Sequence, residues 1–285
     1  MKTKQLFYLG TFALAIAFTS CKKNDPAAPA PVATTYDNGV FITNEGVYPT
    51  GAGTVSFYNR ANGSITNDIF QTKNSYPLGN VVQSMEIFNG KGYIVVNNAG
   101  KVETVDASTF ASGGAITGLS NPRYFLGIDN NKGYISEWGS GSTGDVKVVD
   151  LNTKTVTATI NTGNGAEEMV KVGTSVYVAC SGGYGNDSVV TVINSATNAV
   201  ITTINVGANP KDLKVDASGK IWVLCSGEWN QGFTALVKTG SLVRINASTN
   251  TVDLTLPFLS TTSQPNSLVT NNAKTLLYFS YSGKV

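Results

Sequence analysis

From residue 38 onward, apolar and polar positions fall into short blocks. Runs of four to six residues rich in Val, Ile and aromatics are bounded by clusters of Gly, Asn, Asp or Pro, the pattern of short β-strands joined by turns. One phrase returns along the chain: GVFITN (39–44), GYIVVN (92–97), GYIS (133–136), VYVA (176–179), IWVL (221–224) and LYFS (277–280). Its aromatics, from Phe41 to Tyr278, recur 41 to 56 residues apart. A second phrase follows each of the first five: VSFYN (55–59), VETVD (102–106), VKVVD (146–150), VTVIN (190–194) and LVRIN (242–246). Then come a turn, another strand such as VTATI (156–160), and a Gly- or Pro-marked loop such as GANP (207–210) leading into a fourth. A four-strand unit of roughly 40–50 residues is a propeller blade. The expected fold is all-β, a β-propeller of four-stranded antiparallel blades. A two-sheet sandwich competes, but it does not require one phrase to return at a steady period.

The chain enters the repeat on the second strand of a blade, at Val40, and stops just after the second strand of the sixth unit. That counts as five complete outer-strand sets and a broken sixth. The expectation is a seven-bladed protein of which residues 38–285 form a C-terminally incomplete part. A ring closed with fewer blades is the alternative.

The N-terminus follows a different pattern. A basic start, Met1 to Lys4, precedes an apolar run from Leu6 to Phe18 that is too short to cross a bilayer. It ends Ala17-Phe18-Thr19-Ser20-Cys21. This reads as a lipoprotein signal peptide over 1–20 with lipidation (palmitate included) at Cys21. Residues 21–37 then form a Pro/Ala-rich tether unable to build a core. The expected location is the outer membrane, lipid-anchored at the cell surface, with the periplasmic side as the alternative. Several acyl chains on one residue hold a protein firmly where a single chain does not.

Composition narrows the chemistry. Of 285 residues only 13% are charged, and the formal net charge is +2, which gives no electrostatic case for nucleic acid. There is no histidine, so Ser-His-Asp, Cys-His and ordinary zinc hydrolysis are excluded while carboxylate and lysine chemistry stay open. No cofactor or metal is expected; Asp145, Asp150 and Asp187 lack the spacing of a calcium loop. Cys180 and Cys225 occupy the same place in two repeats. Equivalent strands of neighbouring blades lie too far apart for a disulfide, so both read as buried thiols.

The stretch from Val190 to Cys225 resembles the repeat of surface-layer-type (YVTN) propellers. FITNEG (41–46), QSM (83–85), IVVNN (94–98), NPRY (121–124) and EMV (168–170) are similar to a family of YncE-like cell-surface propeller lipoproteins. The resemblance implies a binding protein, some of whose relatives capture vitamin B12 above a TonB-dependent transporter of the outer membrane. The expected function is therefore non-catalytic capture of a small molecule or partner, with a corrinoid the small-molecule class the resemblance implies. A structural or adhesive envelope protein binding glycan or protein is the alternative, and a propeller lyase or hydrolase stands behind both.

Strand alternation places the loops 78–83, 120–123, 163–168, 207–211 and 264–266 on one face with 44–53, 97–100, 137–144, 182–188 and 227–235. These loops are long and varied, whereas the opposite turns are short and stereotyped, which marks the first face as the binding face. Its candidates are Tyr48, Asn98, Arg123, Tyr124, Glu137, Trp138, Tyr184 and Trp229. Arg123 either anchors a ligand carboxylate or phosphate or bridges two blades. Trp138 and Trp229 either stack on a ligand or cap a sheet edge. Adjacent strand residues point to opposite faces, so Glu167-Glu168 reads as two solvated charges rather than as a cation site or catalytic pair.

Overall fold

A computed structural model describes residues 36–281. The signal peptide, Cys21 and nearly all of the tether lie outside the described residues, as do the last four. Among the described residues no helix is long and apolar enough to cross a membrane.

The chain forms successive antiparallel sheets arranged as propeller blades. Blade 1 has three strands, Gly39–Asn44, Thr54–Asn59 and the two-residue Ile65–Thr66. Blades 2 to 5 are four-stranded and begin at their inner strands Val82–Phe88, Pro122–Gly127, Ala166–Val172 and Pro210–Val215. Blade 6 shows Pro265–Thr270 paired with Leu277–Tyr281. The count differs from the repeat reading at blade 1. Its outer strand is cut to two residues and gives way to a six-residue helix, Ile69–Asn74, whose Ile69 and Phe70 are fully buried. A helix that short displays no period in sequence.

Second strands are buried along both faces: in Lys91–Val96 and Lys132–Glu137 only the leading lysine is not. A blade's middle strands are sandwiched between the neighbouring blades, so they read as unbroken apolar runs rather than alternating ones. Outer strands such as Thr155–Asn161 are exposed at all but one position and accordingly rich in Thr. The core is a series of layers between blades. In one layer Tyr134, Val146 and Val148 of blade 3 pack on Met169, Val176 and Val178 of blade 4. Cys180 and Cys225 are free and fully buried, and burial pushes their thiols up to about 11 and about 12.

The bottom turns between third and fourth strands are built from one recipe. The closing Asp or Asn accepts the backbone amides two and three residues on; Asp150 takes those of Asn152 and Thr153, both at 2.8 Å. The fifth residue of each turn sits in the left-handed region: Phe110, Lys154, Asn198 and Asn250, with φ between 56° and 58°. These residues meet the second-strand aromatic of the preceding blade. Tyr134 Oη donates to Asn198 Oδ1 at 2.6 Å and Tyr177 Oη to Asn250 Oδ1 at 2.5 Å. Phe41 rests on Phe110, ring centroids 5.2 Å apart.

Candidate functional site

Every inner strand from blade 2 to blade 6 starts with a β-bulge. The ladder with the second strand shifts register at Val82/Ser84, Pro122/Phe125, Ala166/Met169, Pro210/Asp212 and Asn266/Val269. In four of them a left-handed residue precedes the bulge: Val81, Asn121, Gly165 and Asn209. A bulge re-aims the side chain it carries. Here the re-aimed residues are Gln83, Arg123, Glu167 and Lys211, and with Asn266, which opens the blade 6 bulge, they place one residue from each of five blades on one cavity of about 850 Å³ on the top face. Asn121 and Asn209 fasten the rim, each donating its amide to a loop carbonyl of its own blade, Gly139 at 3.0 Å and Gly227 at 2.9 Å.

The floor of the cavity is a polar network around Glu167. Its carboxylate accepts from Arg123 Nε at 3.1 Å, Trp138 Nε1 at 3.2 Å and Ser181 Oγ at 3.1 Å. Arg123 also donates to Gln83 Oε1 at 2.5 Å and lies flat over Trp138, 4.1 Å from the ring centroid. Burial raises the Glu167 carboxyl, and Arg123 opposes that rise. Trp138 in turn meets Tyr184 edge-on at 5.5 Å. The Tyr184 ring covers Gly141, where a Cβ would fall 1.9 Å from the ring, so only glycine admits this contact. On the opposite wall Trp229 is carried by a small hairpin, Glu228–Trp229 with Leu236–Lys238, and Phe233 protrudes from its tip with 77% exposure.

Of the residues expected from sequence, Arg123, Tyr124, Trp138, Tyr184 and Trp229 converge on this cavity. Three do not. Glu137 is fully buried behind the rim, where it accepts the Ser120 amide at 2.9 Å and faces Lys147 at 3.3 Å. Burial pushes its carboxyl up to about 7. Tyr48 stands exposed on the blade 1 loop and Asn98 is exposed, neither of them on the cavity wall. It is the neighbouring Asn97 that reaches inward, donating to the Pro122 carbonyl at 3.0 Å. Arg123 is an inter-blade bridge, and its guanidinium is occupied by protein groups.

The reading of Glu167-Glu168 as solvated charges is wrong. The two side chains do point to opposite faces of the blade 4 sheet, but in the ring of inner strands a neighbouring blade covers each face. Glu167 faces blade 3, while Glu168 faces blade 5, accepting the Leu213 amide at 2.7 Å and pairing with Lys214. Burial pushes the Glu168 carboxyl up to about 7. Gln83, Glu167, Lys211 and Asn266 were missed as site residues. The signal that finds them is the repeat itself, since each is the second residue of its inner-strand start, after Val82, Ala166, Pro210 or Pro265.

A family described as Domain of unknown function (DUF5074) matches residues 38–285. The chain belongs to that family. No curated protein matches this DUF5074 chain. Among solved structures it is similar to a periplasmic gluconolactonase of Pseudomonas aeruginosa, with 10% identity, TM-score 0.63 and coverage of 85% of this chain and 76% of the other. A protein from Lactobacillus plantarum gives 12% identity, TM-score 0.59 and coverage of 85% and 74%. Hydrazine synthase of Kuenenia stuttgartiensis gives 18% identity and TM-score 0.57 over 67% of this chain. The DUF5074 chain spans only 52% of that structure's length. These likenesses carry the fold. They also overturn the expectation that the protein is non-catalytic, because the propellers it resembles include ones described as a gluconolactonase and a hydrazine synthase.

Proposed function

We propose that the top-face funnel binds a compact polyhydroxylated ligand carrying a carboxylate, a saccharide acid in class, at the bacterial envelope. The observation that carries this reading is the ring of bulge residues. Two of its five members are cations, and Arg123 is occupied by Glu167 and Gln83. Lys211 has no carboxylate within salt-bridge distance among the described residues. Around it the cavity supplies amides from Gln83, Asn186, Asn230 and Asn266 and flat faces from Tyr184 and Trp229. Amides serve hydroxyls in both directions, and aromatic faces serve the C–H side of a sugar ring. A volume of about 850 Å³ lies in the ordinary range for small-molecule sites. The N-terminal signal and Cys21 support an envelope location, with the domain held at a membrane surface.

The test is calorimetry on the full chain with glucuronate, galacturonate, glucose and cyanocobalamin, run beside a turnover assay on gluconolactone. Uronates are expected to bind more tightly than glucose, and Lys211→Met to remove that preference. Trp229→Ala is expected to weaken uronate binding about thirty-fold, the equivalent of about 2 kcal/mol for an aromatic anchor. Equal affinity for glucose and glucuronate, or unchanged uronate affinity in Lys211→Met, would overturn the reading. Cyanocobalamin binding in preference to every sugar would replace the saccharide acid with a corrinoid.

A further inference from the structure

The seam between blades 2 and 3 has a tyrosine but lacks the latch that closes the blade 3/4 and blade 4/5 seams. Where Asn198 and Asn250 receive the hydroxyls of Tyr134 and Tyr177, the equivalent turn position is Lys154, which has no acceptor to offer. Tyr93, the matching aromatic, is stacked on Phe125 at 3.8 Å, and its hydroxyl has no hydrogen-bond partner among the described residues. In the place of the latch is a cavity of about 240 Å³, on the face opposite the funnel.

The walls of this cavity are chemically uneven. Leu151 and Val105 give it an apolar side, while Lys91, Lys154 and Tyr93 give it a donor side. Neither lysine has a carboxylate within salt-bridge distance among the described residues. The one acid on the wall is Asp106, and its Oδ1 already accepts four bonds from the amides and hydroxyls of Ser108 and Thr109. Three donors without acceptors, two of them cationic, beside an apolar wall make a receptor for an anion with a small apolar body.

We propose that the blade 2/blade 3 seam is a second ligand site, taking a small monocarboxylate whose carboxylate lies between Lys91 and Lys154 and accepts from the Tyr93 hydroxyl. Its apolar body rests on Leu151 and Val105. Size agrees with this: an apolar cavity of ~150 Å³ holds benzene, so the space here admits a benzoate-sized ligand. The site is independent of the funnel and of the ligand proposed there.

The experiment uses the full chain with benzoate and hexanoate as probes and benzamide as the neutral isostere of benzoate, followed by calorimetry and thermal melts. Benzoate is expected to bind and to raise the melting temperature, and benzamide to bind at least tenfold more weakly. Lys154→Asn supplies the acceptor present at the blade 3/4 and blade 4/5 seams. It is expected to reduce benzoate affinity at least tenfold while raising the melting temperature of the unliganded protein. Tyr93→Phe keeps the ring stack and is expected to weaken benzoate several-fold with no such stabilisation. Lys238→Ala, on the top-face hairpin of blade 5, is expected to change neither. No benzoate binding up to about 10 mM (a Kd weaker than the ~1 mM that corresponds to −4.1 kcal/mol) would overturn the proposal. So would benzamide binding as tightly as benzoate, or wild-type benzoate affinity in both Lys154→Asn and Tyr93→Phe.

Discussion

The top and bottom ends of the same strands satisfy their polar groups in opposite ways. At the bottom the Asp or Asn that opens each turn is satisfied within the turn, even where the turn's fifth residue meets the preceding blade. Asn194 Oδ1 takes the amides of Ala196 and Thr197, and Asn246 Oδ1 takes that of Ser248. At the top the partners come from other blades: Arg123 reaches Glu167 44 positions away and Gln83 40 positions away. Local closure allows one recipe to be copied from blade to blade. Remote closure lets an identical backbone bulge carry a different side chain in each blade, which is what a shaped site requires.

The largest expected effect of that difference comes from the funnel floor. Glu167→Ala leaves the Arg123 guanidinium largely buried with no counter-charge, and removing one partner of such a pair costs about 3 kcal/mol. Urea unfolding measures it, and a loss below 1 kcal/mol would erase the contrast. The Arg123→Met, Glu167→Gln double variant is expected to recover part of the loss, because it removes both charges together.

Carboxylates at the two ends also differ in the sign of their pH dependence. Burial raises Glu137 from 4.5 to about 7, so the folded chain binds that proton more tightly than the unfolded one. The resulting destabilisation is absent below the unfolded value, grows as pH rises from 4.5 to about 7, and is constant above that. Between pH 4.5 and 8 it is expected to cost about 2 kcal/mol, allowing for the opposing Lys147 charge. Glu137→Gln should flatten that slope in urea unfolding at several pH values. Asp106 at the bottom behaves oppositely. Hydrogen bonds from Ser108 and Thr109 lower it from 3.8 to about 2, so it contributes stability at pH above 3.8 that is lost as pH falls through about 2. A wild-type stability that climbs steadily from pH 4.5 to 8 would contradict the assignment of Glu137.

The smallest effect is expected where closure is local. Asn194→Ala removes two side-chain-to-amide bonds in a solvated turn and is expected to cost about 1 kcal/mol. Ligand binding in the funnel should stay unchanged. A loss equal to that of Glu167→Ala would show the bottom turns to be as interdependent as the top.

The same contrast explains what could be read from the sequence. Strand phrases, turn residues and the propeller follow from contacts within one repeat, and the buried state of Cys180 and Cys225 follows from their place in it. That Arg123, Trp138, Tyr184 and Trp229 share one face was also accessible, because strand alternation is a local property, and they line one cavity there. What resisted reading was the cover over each face of an inner strand. Glu167 and Glu168 do go to opposite faces, toward blade 3 and blade 5, but neighbouring blades cover both faces, and that enclosure comes from segments 44 and 45 positions away. Glu137 failed for a related reason. A carboxylate at the end of an apolar strand reads as solvent-facing until Ser120 and Lys147, from other segments, are seen to enclose it.

The hairpin that carries Trp229 and Phe233 leaves and rejoins the blade at a single paired position, Cys225 opposite Ser241. Gly227 and Gly240 are tied to the blade, Gly227 as acceptor of Asn209 and Gly240 as acceptor of the Phe258 amide. The tip between Trp229 and Leu236 can change in length or composition without moving a rung of the ladder below, and the entropic penalty of a longer insertion grows only with the logarithm of its length. That tip is an exchangeable cassette on a fixed socket.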